Sequence, residues 1–209
     1  MEKEFTQIQL GLFFQTDFTG QFENASLLIK EKFENASSQI LGIPDGFPSD
    51  APRLIIKSEK VNINLSKNRI DFFSKDKEFI SNNIDSIFYI INKLSLKIGR
   101  IGIVLNYFQE IKIEDFKDIF TKEKISVIKN LTDVMVRLNE VTEVDGVKVN
   151  NSQIYASVIR AINGSTQKGF IITRDINTLI EETKINDFTQ EKVLTFSKAA
   201  IEKTKDVIF

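Results

Sequence analysis

The chain has 209 residues, 42% of them hydrophobic and 27% charged, with a formal net charge of −1 and neither histidine nor cysteine. Missing histidine and cysteine exclude imidazole and thiol chemistry, disulfide stapling and zinc sites built on nitrogen or sulfur ligands. Eighteen phenylalanines, among many isoleucines, provide enough apolar area for a folded core and argue against disorder.

Acids and bases are interleaved along the chain and the isoelectric point is near 5.7, without the basic stripe of a duplex-binding protein. The longest uncharged apolar runs, such as Ile101–Leu105, fall far short of the roughly 20 residues of a membrane helix. The start, Met-Glu-Lys-Glu, has no apolar leader. The expectation is a cytoplasmic protein with no membrane association. Six Asn-x-Ser/Thr triplets, from Asn24 to Asn163, follow from the Asn- and Ser-rich composition and lack the secretory context that glycosylation requires.

In chain order, Ile8, Leu10, Leu12 and Phe14 alternate with other residues and predict a strand. The stripe Phe22, Ala25, Ile29, Phe33, Ala36, Ile40 predicts a helix from about Thr19, an N-cap, to Leu41, with Gly42 as its stop. All three prolines (Pro44, Pro48, Pro52) lie in Ile43–Pro52, which must be a loop. Three strands joined as hairpins follow: Arg53–Lys57, Val61–Leu65 and Ile70–Phe73. Lys77–Leu94 is a helix with Ile80, Ile84, Ile87, Phe88 and Ile91 on one side.

The order then restarts. Ile101–Tyr107 alternates as a strand, and Ile113–Leu131 reads as one or two helices with Phe116, Ile119 and Phe120 inward. A long strand begins near Val134. Asp145-Gly146 signals a hairpin turn, Ile154–Val158 continues the returning strand, and Asn163-Gly164 marks another turn before a strand at Gly169–Ile176. The last helix is predicted over Thr189–Val207.

The expected fold class is therefore α+β, with antiparallel sheets covered by helices. It reads as two β-α-βββ-α units, 1–96 and 97–209, packed as one body with a continuous curved sheet. Each unit is similar in topology to a half of the TATA-binding-protein saddle, without a shared motif. The segments Ala51-Pro52-Arg53, Arg100-Ile101-Gly102 and Asp175-Ile176, with a terminal helix, resemble a sparsely distributed family of uncharacterised bacterial and phage proteins. The resemblance covers about two thirds of the chain. It implies layout and no assigned activity.

Three groups of residues are candidates for function. The loop Asp45–Arg53 offers Asp45, Asp50 and Arg53 for a cation or a polar ligand; its alternative is a rigid connector in which Asp50 pairs with Arg53. Of the six arginines, Arg69, Arg100, Arg137, Arg160 and Arg174 fall in predicted strands. Guanidinium groups bind carboxylate or phosphate bidentately, and a row of them on an open sheet face would recognise an anion or an acidic partner. The alternative is cross-strand pairing with acids, and Arg174-Asp175 reads as a local salt bridge. Finally, Phe13, Phe73 and Phe108 are out of phase with the inward residues of their strands. They are expected to expose apolar surface on the polar face, as interfaces do.

No glycine-rich phosphate loop, catalytic constellation, metal site or cofactor motif is present. The function expected is non-enzymatic protein binding, to a partner protein or as a homodimer, in the setting of phage or mobile-element conflict. One rival is a nucleic-acid module using the arginine-bearing sheet. The other is a divalent-metal-dependent hydrolase using carboxylates, which requires at least three to converge.

Overall fold

The computed structural model describes residues 3–44, 46–110, 135–162, 165–183 and 185–204. The helix expected over Ile113–Leu131, the turn at Asn163-Gly164 and the last residues of the C-terminal helix lie outside the described residues.

Nine strands form one antiparallel sheet: β1 (Glu4–Phe14), β2 (Ser37–Ile40), β3 (Leu54–Lys57), β4 (Asn62–Leu65), β5 (Arg69–Ser74), β6 (Ile98–Glu110), β7 (Met135–Val144), β8 (Val147–Ile162) and β9 (Ser165–Thr178). Their spatial order is β2-β3-β4-β5-β1-β6-β9-β8-β7. The helices among the described residues are α1 (Phe22–Lys32), α2 (Phe79–Lys93) and α3 (Gln190–Lys203), with a short 3-10 turn at Ile180–Glu182. The α+β class with antiparallel pairing is thus as expected.

One face of the sheet builds the core. Ile8, Leu10 and Leu12 of β1 pack with Ile101, Ile103 and Leu105 of β6 and with Ile63, Leu65, Ile70 and Phe72 nearer the β2 edge. The helices close over this layer through Ala25 and Ile29 of α1, Ile84, Ile87 and Ile91 of α2, and Val193, Phe196 and Ala200 of α3. α2 is buried on the stripe that its spacing predicts, because residues three and four apart share one face. No helix among the described residues is long and apolar enough to cross a membrane.

The β7–β8 hairpin turns at Asp145-Gly146, with φ of 50° and 74°. Two consecutive positive φ values make the turn whose twist matches the flanking strands, and Gly146 carries no Cβ to oppose it. β7 and β8 then pair over ten residues each without a register shift, and β8 is one continuous strand through Ile154–Val158.

The first helix is shorter than its stripe predicts. It starts after Gln21 rather than Thr19 and ends at Lys32, and Ser37–Ile40 pairs with β3 as an edge strand instead of continuing to Leu41 and Gly42. Asn35 takes a left-handed φ of 56°, a helix-ending conformation that asparagine tolerates. Ala36 and Ile40 match a helical and an extended spacing equally well, and only the free edge of β3 decides between them. Four strands therefore follow α1 before α2, where three were expected.

Two glycines give a contrasting test of the packing. A Cβ on Gly99 would lie 1.7 Å from the Thr183 carbonyl oxygen, whereas one on Gly42 would meet nothing within 4 Å. Gly99→Ala is expected to lower stability by about 1–3 kcal/mol, and Gly42→Ala to stay within about 0.5 kcal/mol of the parent. Urea denaturation of the two variants checks this; equal midpoints would mean that the 3-10 turn does not press on β6.

Candidate interaction surface

Strand residues alternate between faces, so the register of the sheet specifies which side chains share the face opposite the helices. On this face, uncovered by any helix among the described residues and called the uncovered face below, Arg69, Phe13 and Arg100 lie side by side across β5, β1 and β6. The next row is Asn64, Asp71, Gly11, Gly102, Asn177, Asn150 and Val141. Beyond it come Asn62, Phe73, Gln9, Val104, Asp175, Ser152 and Asn139. Then follow Gln7, Asn106, Thr173, Ile154 and Arg137, and finally Phe108, Ile171, Ala156 and Met135. The face is polar and charged at its centre and apolar towards the far ends of β6–β9.

The centre is a connected polar network. Arg69 Nε meets Asp71 Oδ2 at 2.9 Å, and Gln9 Nε2 donates to Asp71 Oδ1 at 3.0 Å. The Phe13 ring lies under two cations, with the Arg100 guanidinium 4.0 Å and the Arg69 guanidinium 5.5 Å from its centroid. Such contacts are worth about 0.5–1 kcal/mol at exposed sites. Along β9, beside β6, Asn177 Nδ2 donates to Asp175 Oδ1. Gly11 and Gly102 make this crowding feasible: a Cβ on Gly102 would lie 2.2 Å from Asn177 Oδ1, and one on Gly11 would lie 3.0 Å from Asp71 Oδ1.

Burial raises the carboxyls of Asp71 and Asp175 above the ordinary range. For Asp71, Arg69 and the Gln9 hydrogen bond oppose the shift; for Asp175, Asn177, Arg137 and Arg100 oppose it. Burial pulls the Arg100 guanidinium down, against Asp175.

Four of the five strand arginines share the uncovered face, and three have polar partners of their own. Arg69 pairs with Asp71. Arg160 Nη2 meets Glu4 Oε2 at 2.6 Å while its guanidinium stacks 3.4 Å from the Phe108 ring centroid. Arg137 donates to Asn139 Oδ1 at 3.1 Å and to Ser152 Oγ at 3.3 Å. The buried Nε of Arg100 meets no hydrogen-bond acceptor among the described residues. These arginines are tied into the sheet rather than presented as a row of free cations.

Arg174 departs from the expectation. It is 1% exposed and lies on the helix-side face, where its Nη2 donates to Asn151 Oδ1 at 3.4 Å. Adjacent strand residues point to opposite faces, so the salt bridge expected between Arg174 and Asp175 does not form. Arg53 precedes β3 and is buried, with Nη1 and Nη2 meeting no acceptor among the described residues. The alternative pairing of Asp50 with Arg53 is therefore also not made. Asp50 is exposed on its loop, and Asp45 lies outside the described residues.

Phe13, Phe73 and Phe108 are all on the uncovered face, as their phase predicts. Phe108 nevertheless exposes no surface to speak of, at 4%: its ring lies over Gly169, where a Cβ would come within 2.8 Å of it, and Arg160 caps it. The apolar surface is instead formed by residues that the sequence reading passed over. Met135 is 75% and Ile171 38% exposed, and Ile154, Ala156 and Val158 beside them are half-buried. Of the two aspartates at the centre, Asp71 was passed over and Asp175 was read only as the salt-bridge partner of Arg174, although glycines inside the apolar runs of β1 and β6 were a signal for close approach there.

Among the described residues no three acidic side chains come together to hold a metal ion. A scan against protein-family models finds no match, and a search of curated proteins finds none either.

Because the Asp175 carboxyl is raised, folding takes up a proton in the interval above the ordinary carboxylate value of about 3.9. Its contribution favours the fold at low pH and is lost as pH rises through the folded-state value. Asp175→Asn removes this dependence. Relative to the variant, the parent is expected to lose stability from pH 4 towards neutrality, read as urea midpoints. Parallel profiles would show that Arg100 and Arg137 compensate fully for burial.

Proposed function

We propose that the chain is a non-enzymatic binding protein that recognises another protein through the uncovered face of its sheet. The observation that carries this reading is the apolar end of that face, where Met135, Ile154, Ala156, Val158 and Ile171 lie together on β7, β8 and β9 beside Arg137 and Arg160. Contiguous exposed apolar surface rimmed by polar side chains marks interaction sites. Arginine stacked on an aromatic ring, as Arg160 is on Phe108, is a residue type enriched at interface centres.

The two rival readings have less support. Arg69, Arg137 and Arg160 spend their donors within the chain, which leaves little free positive charge for a phosphate backbone. A carboxylate–metal hydrolase has no three-acid cluster among the described residues to start from. The arrangement of strands on either side of the β1–β6 pair supports reading the chain as two units, 1–96 and 97–209, with the layout of the TATA-binding-protein saddle. That likeness is topological and carries no function. The setting proposed, phage or mobile-element conflict, is supported by the family resemblance of the Ala51–Arg53, Arg100–Gly102 and Asp175–Ile176 segments alone.

A photo-crosslinking residue at position 171 tests the reading in source cells, with position 27, exposed on α1, as the control. A discrete adduct is expected at 171 and not at 27. Ile171→Asp should weaken that partner's binding at least about tenfold, the scale of an interface residue worth more than about 1 kcal/mol, with stability within about 0.5 kcal/mol of the parent. Equal labelling at both positions would discard the proposal.

A further inference from the structure

The two edges of the sheet are built differently. β2 is four residues long and carries Ser37, Ser38 and Gln39, so it offers little to a passing strand. β7 is ten residues long, pairs with β8 throughout without a bulge, and contains neither proline nor lysine; its charges are Arg137, Glu140 and Glu143, and Lys203 of α3 caps only its C-terminal end, at Thr142 and the Glu143 carbonyl. Its outer side has no partner strand among the described residues. It also exposes Met135, Leu138 and Val141. Natural proteins shorten, bend, charge or cover such edges when they are meant to stay single.

We propose that β7 is a dimerisation edge. It pairs antiparallel with β7 of a second copy about a two-fold axis at Leu138, continuing the sheet from one copy into the other. Opposed residues in an antiparallel pair share a face, so only alternate registers are available to a symmetric pair. Centred on Leu138, the pairing sets Leu138 against its own copy on the helix side. It sets Met135 against the partner's Val141, twice, on the uncovered side. Arg137 then faces the partner's Asn139, and Val136 the partner's Glu140, with no like charges opposed. A centre at Arg137 or at Glu140 would set like charges face to face. A centre at Asn139 would set Leu138 and Met135 against the partner's Glu140 and Glu143. Matched apolar cross-strand pairs are favourable and opposed like charges are not, which favours the Leu138 register over those centred on Arg137, Asn139 and Glu140.

The axis stands perpendicular to the sheet, so both uncovered faces look the same way. The apolar ends around Met135 and Ile154 then adjoin across the axis and present one doubled surface. This consequence rests on the binding role proposed above; the dimer itself does not.

Light scattering on the eluting full chain should give twice the 23.9 kDa chain mass at micromolar concentration, and Leu138→Lys should return it to the monomer. Because the chain has no cysteine, single-cysteine variants report the register directly. Leu138→Cys is expected to form dimers with a short bis-maleimide, since opposed Cα atoms lie about 4.5–5.5 Å apart. Glu143→Cys is not, since its two copies would be about 33 Å apart. A monomeric parent at all concentrations, or equal cross-linking at 138 and 143, overturns the proposal. A monomer that keeps its adduct at position 171 refutes the dimer alone, and a dimer without that adduct refutes the partner reading alone.

Discussion

The antiparallel ladder between β1 and β6 is the interaction on which the rest of this protein depends. It runs from the pair Glu4–Phe108 to the pair Phe14–Ile98 and joins residues 84 to 104 positions apart in sequence into the middle of one sheet. Every other strand is added outward from these two. The ladder is interrupted between Phe5 and Gln7, which returns Phe5 to the helix side against Tyr107, and again between Phe13 and Phe14. At its centre Gly11 opposes Gly102, so no Cβ stands on the uncovered face where β1 meets β6. Asp71, Asn177 and the Phe13 ring occupy that space instead.

A sheet whose described helices all lie on one side must solve two different problems with one alternating chain. Towards the helices it buries Ile, Leu and Phe in a continuous layer. Away from them it needs side chains that tolerate water yet hold nine strands in register. At the centre the solution is a set of hydrogen-bonded and ion-paired groups, with two carboxyls held above their ordinary range by burial. At the far ends of β6–β9 the same face turns apolar, and that change of character within one surface makes recognition the reading the geometry supports. The arginines belong mostly to the first role: they stack on phenylalanines and pair across strands, stiffening the face more than advertising charge.

The sequence reading and the structure part company at particular residues. The stripe of α2 and the hairpin at Asp145-Gly146 were legible because both follow from local geometry, helical period in one case and positive φ in the other. The end of α1 was not, because Ser37–Ile40 becomes a strand only through the edge of β3 that receives it. Phase placed Phe108 correctly on the uncovered face. Its concealment depends on Gly169 and Arg160, some sixty and fifty residues further along the chain. Arg174 and Asp175 read as a pair for the same reason: sequence neighbours in a strand look close, yet they point apart.

By itself the sequence determined the α+β class, the strand and helix periods, and the chemistry excluded by the missing histidine and cysteine. These follow from composition and from spacing over a few residues. Tertiary structure alone decided which strands lie side by side, and hence that Asp71, Phe13 and Arg100 share a surface, that Arg174 is buried on the opposite one, and that β7 is a long edge with no partner strand among the described residues. Those properties depend on register between segments distant in the chain, and alternation within one strand says nothing about the strand that will lie beside it.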